Sequence, residues 1–276
     1  MTVKRYRVGA QSWGYDDWVT PAGGDTVFYP RGTKRSEMLV LYSRVFDTIE
    51  VDATLYGIPG DATLQNWYDE TPAGFIFSLN FPREITHDHA LRGPSLKLTS
   101  EFVGKAAILR EKLGLFLVQF PASFEATKEN SAALERFLKH LPAGYRFAVE
   151  FRSADWFTER TFDALQNAGA ALCLVEGKWV DRERMFRSSE RVVTPFRYVR
   201  LMGERDIPKF DRILRPRDEV LDRWREMLEC LDATDIFIYS DNYFEGFAPG
   251  TVNKLLSRLG MPEGEPARLE TQGSLF

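Results

Sequence analysis

The sequence predicts an α/β fold in which eight parallel strands, each followed by a helix, close into a (β/α)8 barrel of the TIM type. Three observations support this prediction. Short runs with strand character recur eight times along the 276 residues. Stretches with helical periodicity separate most of these runs, as the crossover connections of parallel strands require. The first run leads into "GAQSWGYDDW" without a G-x-G-x-x-G turn, which disfavours a doubly wound open sheet, the alternative fold.

The predicted strands are short apolar runs that end at polar or turn-forming residues. They cover residues 6–12, 48–52, 75–80, 114–120, 146–151, 170–175, 196–202 and 235–240. The predicted helices cover residues 36–46, 61–70, 98–112, 130–141, 158–169, 217–231 and 248–260. Residues 177–191 are charged and weakly periodic, so we expect a degenerate helix or a loop after the sixth strand. These elements predict a single barrel domain over residues 1–260 and a polar, flexible tail over residues 261–276.

Composition and charge exclude several classes of protein. With 44% hydrophobic and 13% aromatic residues, the chain can bury a large core and is not disordered in bulk. The formal net charge of −4, from 36 basic and 40 acidic residues, does not favour nucleic acid as a partner. Cys173 and Cys230 lie in apolar contexts and are expected to be buried free thiols in a reducing compartment. Because no apolar run is long enough for a signal peptide or a membrane span, we expect a soluble, cytoplasmic protein.

The alternation of residues along the strands directs polar side chains into the barrel. In "TIEVDATLY", the apolar residues must face the helices, which turns Glu50 and Asp52 inward. The same argument turns Glu150 and Arg152 inward from the fifth strand and Gln119 inward from the fourth. A weaker alternation adds to this set Gln11, Ser78, Asn80, Arg200 and Asp241. Most of these positions fall at the C-terminal ends of strands, where barrels of this type hold their active sites.

Charged groups that converge inside a barrel must pair with one another or line a wet pocket. An isolated buried carboxylate costs several kcal/mol. For any single residue, a structural ion pair is the alternative. Convergence from five or more strands on one end of the barrel favours a pocket.

Eight motifs occur in order along residues 6–257. They are "GAQSWGYDDW", "FYP", "TIEVDATLYGIP", "ITHD", "LVQFP", "RFAVEFRSADWF", "YVRLMG" and "IYSDNYFEGFAP". In this order they resemble the YecE-like proteins, a widespread family of unknown function. The resemblance implies a barrel with a site at its mouth, and it implies no reaction. The family pattern falls on Ser12, Trp13, Glu50, Thr54, Tyr56, His87, Gln119, Pro121, Glu150, Arg152, Trp156, Tyr198, Arg200 and Asn242.

The sequence departs from the family pattern at three places. The family often has lysine where Asn80 stands and histidine where Met202 stands, and it often has "YFNN" where this chain has "YSDN". The first two departures remove two proton-transfer candidates. The third adds a carboxylate, Asp241.

The inward-facing carboxylates favour acid/base catalysis by a pair. Glu50 and Glu150 lie across the barrel from each other. We expect one, with its pKa raised by burial, to donate a proton and the other, held ionised by Arg152, to accept one. Arg200 is expected to bind a phosphate or carboxylate of the substrate. The prediction is a hydrolase or lyase that acts on a polar, anionic substrate containing phosphate or sugar.

Substrate contacts are predicted around these four catalytic residues. The set is Ser12, Trp13, Asp52, Tyr56, Asn80, His87, Gln119, Trp156, Tyr239, Asp241 and Asn242. Trp13, Tyr56, Trp156 and Tyr239 are expected near the rim, where they would stack on a sugar or base. Packing within the loops is the alternative for each of them.

The usual signatures of other chemistries are missing. The sequence has no G-x-S-x-G nucleophile elbow and no P-loop. In "THDHAL", His87 could hold a divalent metal together with Glu50, Asp52 or Asp241. A histidine pair on a loop is more often an ordinary surface feature, so no metal ligand is assigned and the cofactor is left open.

The sequence ends in "QGSLF", which suggests a function of another class. It resembles the Q-x-x-L-F peptides with which DNA replication and repair proteins dock on sliding clamps. In such a peptide, Gln272 would make hydrogen bonds while Leu275 and Phe276 fill an apolar pocket. The alternative function is therefore a non-catalytic accessory protein recruited to a clamp. Arginines around the seventh strand could also track a phosphate backbone, but interleaved acids indicate an ordinary solvated surface.

Overall fold

Eight parallel strands close into a barrel in the computed structural model of the chain, which describes residues 3–266. The strands pair in sequence order, and the last closes on the first. They are β1 (Arg5–Gln11), β2 (Thr48–Val51), β3 (Ile76–Asn80), β4 (Leu113–Gln119), β5 (Phe147–Glu150), β6 (Ala171–Glu176), β7 (Phe196–Leu201) and β8 (Asp235–Ser240). The predicted fold class is confirmed.

Helices surround the barrel and connect the strands. Within the described residues they are α1 (Met38–Ser43), α2 (Asp61–Glu70), α3 (Ser95–Ala106), α4 (Lys128–Lys139), α5 (Glu159–Asn167), α6 (Arg182–Ser189), α7 (Asp218–Cys230), α8 (Asn242–Glu245) and α9 (Ala248–Arg258). For residues 177–191 the sequence predicted either a degenerate helix or a loop. The loop was the wrong alternative, because α6 lies between β6 and β7. Asp181 caps this helix by accepting a hydrogen bond from the backbone N–H of Arg184 at 2.9 Å. The helix has eight residues and buries few of them, which explains its weak periodicity.

The main core lies between the outer face of the barrel and the helices. Phe77, Phe116 and Phe147 point outward from β3, β4 and β5 and are buried. The rings of Phe116 and Phe147 stack with centroids 5.4 Å apart. Burying a side chain of this size stabilises the folded state by roughly 2 to 3 kcal/mol. Successive strand residues face opposite sides of the sheet. This packing therefore turns Ser78, next to Phe77, and Gln119, three residues after Phe116, into the barrel.

The register of the strands aligns the polar residues at one level. Gln11 of β1 pairs with Glu50 of β2, which in turn pairs with Ser78 of β3. Across the barrel, Gln119 of β4 pairs with Glu150 of β5. The inward-facing amides and carboxylates therefore approach one another near the C-terminal ends of the strands.

The chain remains attached to the barrel after α9. Gly264 donates its backbone N–H to Asn253 Oδ1 at 2.9 Å, and Asn253 Nδ2 donates to the carbonyl of Gly264 at 2.9 Å. Gly264 also lies so close to Val45 that a Cβ there would be 2.4 Å from Val45 Cγ1. The predicted tail therefore does not leave the barrel directly after Gly260. Three residues of the predicted clamp peptide lie outside the described residues: Gln272, Leu275 and Phe276.

The two cysteines are free thiols in different environments. Cys173 is buried in β6, whereas Cys230 is exposed at the end of α7. The prediction of burial was wrong for Cys230, because the buried face of α7 runs through Leu221, Trp224 and Leu228 and Cys230 lies off that face. Among residues 3–266, no helix combines the length and the apolar character needed to cross a bilayer.

Candidate active site at the barrel mouth

Arg200 is the centre of a buried ion-pair network inside the barrel. Its Nη2 and Nε donate to the two carboxylate oxygens of Glu50 at 2.8 and 3.0 Å, and its Nη1 donates to Glu150 Oε2 at 2.5 Å. Tyr198 adds a hydroxyl donor to Glu50 Oε2 at 2.6 Å, and Asn80 Nδ2 donates to Oε1 at 3.2 Å. A bidentate pair of this kind fixes the plane of the guanidinium. Glu50 is fully buried and acts on the site by orienting Arg200.

Glu150 lines the cavity above this network and is held between two arginines. Its Oε1 accepts a hydrogen bond from Arg152 Nε at 2.9 Å, while Arg200 occupies Oε2. Burial raises the pKa of Glu150, but the charges and hydrogen bonds of Arg200 and Arg152 outweigh burial and hold the pKa below its ordinary value. Glu150 is therefore ionised at neutral pH.

Two further carboxyl groups face the cavity from β2 and β8. Burial raises the pKa of Asp52, and the charge of Glu50 raises it further, while a hydrogen bond from the Ser12 side chain opposes the shift. Burial also raises the pKa of Asp241 to about 6, against a hydrogen bond from the backbone of Tyr243. Ser12 adopts the left-handed backbone conformation with a φ of 63°. Such a φ is uncommon for a non-glycine residue and places its hydroxyl beside Asp52.

Basic and aromatic side chains line much of the rest of the cavity. Lys178 Nζ and Arg152 Cζ lie 4.8 and 5.7 Å from the centre of the Trp179 ring. Trp179 is 42% exposed and Tyr56 is 74% exposed, so both rings are accessible to a ligand. Burial, and then the positive charge of neighbouring arginines, lower the pKa of His87, so its ring is neutral at pH 7.

These groups enclose a cavity of about 520 Å³ that opens at the C-terminal end of the barrel. The cavity brings together nine of the predicted site residues: Asp52, Tyr56, Asn80, His87, Gln119, Glu150, Arg152, Arg200 and Asp241. Among residues 3–266, five cations and three carboxylates line it. Since Glu50 neutralises Arg200 from below, positive charge exceeds negative charge on the remaining wall.

Two aromatic residues predicted near the rim lie elsewhere. Trp156 is 2% exposed, stacks on Phe124 with centroids 5.2 Å apart, and donates its Nε1–H to the Phe124 carbonyl. Tyr239 is 1% exposed, and its hydroxyl lies 2.6 Å from Thr48 Oγ1 and 2.9 Å from Ser78 Oγ in the barrel interior. The prediction that these two rings stack on a ligand at the rim was wrong.

Two other residues that were predicted to contact the substrate, Trp13 and Asn242, lie outside the lining of the cavity. The ring of Trp13 packs edge-on against Trp67 with centroids 5.6 Å apart. Asn242 is fully buried, and its Oδ1 accepts from Trp18 Nε1 at 3.2 Å and from the backbone N–H of Ala248 at 2.9 Å. Neither Trp13 nor Asn242 lines the cavity, so the structure assigns them to packing.

Several lining residues were missed because they lie in the segments that follow the strands and not in the strands themselves. They are Tyr15, Arg83, Lys178, Trp179, Arg205 and Tyr243. A positional signal was present, since "GKW" directly follows β6 and the loops after strands form the active sites of such barrels. Periodicity, on which the prediction relied, carries no information about loop residues.

The histidine at the mouth does not belong to a metal centre in this structure. Among residues 3–266, no group of three or more His, Cys, Asp or Glu side chains is arranged to hold a metal ion. His87 Nδ1 instead lies 2.9 Å from Thr86 Oγ1. The residues present do not fit the metal site considered from the sequence.

Gly203 is required where the loop after β7 contacts α8. A Cβ on Gly203 would lie 1.7 Å from the carbonyl oxygen of Tyr243. We expect Gly203→Ala to cost about 3 kcal/mol of unfolding free energy, because the backbone of the mouth must move to admit the methyl group. Gly57→Ala is the control, since a Cβ there has nothing within 4 Å. Urea denaturation of both variants tests this prediction, and equal midpoints would contradict it.

Comparison with known proteins places the chain in a family. Residues 7–273 match the family described as "Protein of unknown function DUF72". The chain is 31% identical over 128 residues to the UPF0759 protein YecE of Escherichia coli, covering 46% of each chain. It is 30% identical over 156 residues to the UPF0759 protein YunF of Bacillus subtilis, covering 55% of this chain and 52% of the relative. The matched regions thus span about half the length of these curated relatives.

Solved structures show the same fold. A DUF72 family protein of Thermotoga maritima superposes with a TM-score of 0.74 at 24% identity, covering 92% of this chain and 99% of the other. A DUF72 family protein of Enterococcus faecalis gives a TM-score of 0.71 at 18% identity, covering 95% and 99%. A glycoside hydrolase family 5 enzyme of Prevotella bryantii is a more distant likeness, with a TM-score of 0.53 at 11% identity over 91% and 95%. The chain belongs to the DUF72 family, which confirms the resemblance to YecE-like proteins that its motifs carry.

Proposed function

We propose that the cavity at the barrel mouth is the active site of a hydrolase or lyase that acts on a polar, anionic small molecule. The observation that carries the proposal is that Asp241, an ionised Glu150 and an excess of cations line one cavity. A carboxyl group that changes protonation near neutral pH is suited to proton transfer. Its position opposite a fixed carboxylate is the arrangement that acid/base hydrolysis uses.

Two carboxyl groups and two cations lie on different sides of the cavity, and a further cation, Arg205, acts on Asp241. Asp52 and Asp241 lie on one side, at the ends of β2 and β8. Both are near Tyr15, whose pKa is raised mainly by burial and further by these two carboxylates. Arg152 and Lys178 lie on the other side, next to the exposed ring of Trp179. A phosphate or carboxylate of the ligand would bind at the basic end, with a sugar ring against Trp179. The bond to be broken would then lie towards Asp241.

The proposal changes the roles that the sequence suggested for the carboxylates. Glu50 lies beneath Arg200 without reaching the cavity, so it is a positioning residue. Asp241 takes the role of proton donor or acceptor. Glu150 remains the ionised partner and holds Arg152 and Arg200 in place.

Ligand binding tests the charge preference directly. We expect glucose 6-phosphate and glucuronate to raise the thermal midpoint of the protein and to change its tryptophan fluorescence, whereas glucose should do neither. Lys178→Gln should weaken binding of the anionic sugars by about ten-fold, because a charge-assisted hydrogen bond contributes about 1.5 to 3 kcal/mol. Lys97→Gln, at an exposed position away from the cavity, is the matched control. Equal responses to glucose and glucuronate would rule out the preference for anions.

A further inference from the structure

A second cavity lies at the opposite end of the barrel, between α6 and α7. Its volume is about 540 Å³, and it shares no lining residue with the cavity at the mouth. Its walls come from the segments that lead from α6 into β7 and from α7 into β8. Much of the surface is apolar, contributed by Phe186, Val193, Met227 and Leu231.

A buried arginine, Arg197, forms part of the wall of this cavity. It is 2% exposed, and its Nη1 donates to Thr194 O at 2.6 Å, to Thr194 Oγ1 at 2.9 Å and to Phe196 O at 3.2 Å. Within the described residues, its Nε has no hydrogen-bond partner. Burial lowers the pKa of Arg197, and the charge of Asp232 offsets burial only in part. A buried charge that is not fully compensated costs several kcal/mol, so this arrangement needs an explanation.

The geometry of the contacts indicates which chemistry would complete the site. Because Nη1 is occupied by backbone and hydroxyl oxygens and Nε is fully enclosed, Nη2 is the nitrogen through which Arg197 can meet an acceptor in the cavity. An N–H of Nη2 can donate a charge-assisted hydrogen bond to one oxygen of a carboxylate. The rim holds Glu190, Glu226 and Asp232 beside two arginines. The rim thus has one more carboxylate than arginine, and together with Arg197 the lining is neutral, so a second negative charge on the ligand would find no cation to pair with.

We propose that this cavity binds a monocarboxylate with an apolar body. The carboxylate pairs with Arg197, and the apolar body lies against Phe186, Met227 and Leu231. The site is independent of the proposed catalytic cavity, since none of these residues reaches the barrel mouth.

Cys230 reports on the occupancy of this cavity. It lines the cavity and is exposed, whereas Cys173, the second of the two cysteines, is buried in the barrel. Ellman's reagent should therefore label Cys230 alone in the native, full-length protein. We expect octanoate to slow this labelling saturably, by about five-fold at a concentration about four times its Kd, as mass action requires. Octan-1-ol, with the same chain and no charge, should give little protection. Equal protection by octanoate and octan-1-ol, or none by either, would overturn the proposal.

Two variants test the role of the charge. Arg197→Gln should abolish protection by octanoate, whereas Arg225→Gln, on α7 outside the cavity, should preserve it. Val193→Glu provides a second test that does not depend on the folding of a core variant, because Val193 is 47% exposed at the edge of the cavity. The added carboxylate should repel octanoate and restore the rate of labelling. Unchanged protection in Val193→Glu would refute carboxylate binding at this site.

Discussion

Arg200→Met should destabilise the protein by about 3 to 5 kcal/mol at pH 7, since it leaves the buried Glu50 without its arginine and Glu150 with Arg152 alone. Glu50 and Glu150 are each no more than 1% exposed. An ionised carboxylate only accepts hydrogen bonds, so neither residue can supply the donors that the guanidinium provides. Chemical denaturation of wild type and variant measures the loss. Arg35→Met, which removes an exposed pair with Asp16, is the control and should change stability little.

The loss caused by Arg200→Met should depend on pH in a defined direction. In the wild type, the pKa of Glu150 is below its unfolded value, so its ionised form stabilises the fold above that range and the contribution is lost as the pH falls. Without Arg200, only Arg152 opposes the effect of burial, so the pKa of Glu150 should rise relative to the wild type and the cost of the substitution should be greatest at neutral pH. The difference in unfolding free energy between the wild type and Arg200→Met should therefore shrink towards pH 4. A difference that stays constant from pH 4 to pH 8 would show that packing, and not charge, explains it.

The side of each strand residue could be predicted from the sequence, but its depth in the barrel could not. Alternation correctly turned Glu50 and Glu150 inward, because the outward apolar residues fix the face of each strand. Asp52 follows Glu50 by two residues, which places it roughly 7 Å further along the chain. That distance separates a carboxylate that reaches the cavity from one buried beneath Arg200. Strand length and register decide the depth, and neither follows from the local pattern.

The environments of Trp156 and Trp179 could not be predicted from the local sequence either. Trp156 and Trp179 both follow strands that end at the mouth. Trp156 is buried because Phe120, Phe124 and Phe151 form a stack beneath it. Two of these rings belong to a segment some 30 residues earlier in the chain. Trp179 stacks on no aromatic ring in the described part of the chain and remains exposed next to Arg152.

Asp241→Asn should make the protein more stable at neutral pH, by about 2 kcal/mol. The pKa of Asp241 is raised to about 6 by burial, so between about pH 4 and pH 6 the unfolded chain releases a proton that the folded chain keeps. Wild-type stability should fall over this interval and stay lower above it, whereas the variant lacks this titration. Asparagine can still cap α8, where Asp241 accepts from the N–H of Tyr243. Unfolding free energies at pH 4, 6 and 8 measure the effect, and Asp25→Asn, at an exposed site, is the control.

The same substitution should abolish turnover if Asp241 transfers the proton. Loss of a general acid or base lowers kcat by about 100-fold or more, and asparagine can neither donate nor accept a proton in that role. The assay compares the 4-nitrophenyl glycoside of glucuronic acid with that of glucose and with 4-nitrophenyl phosphate. Binding of glucuronate should persist in Asp241→Asn, because the anion lies at the basic end of the cavity. A variant that is more stable and fully active would remove Asp241 from the mechanism, whereas binding without turnover in the wild type would identify the cavity as a binding site without catalysis.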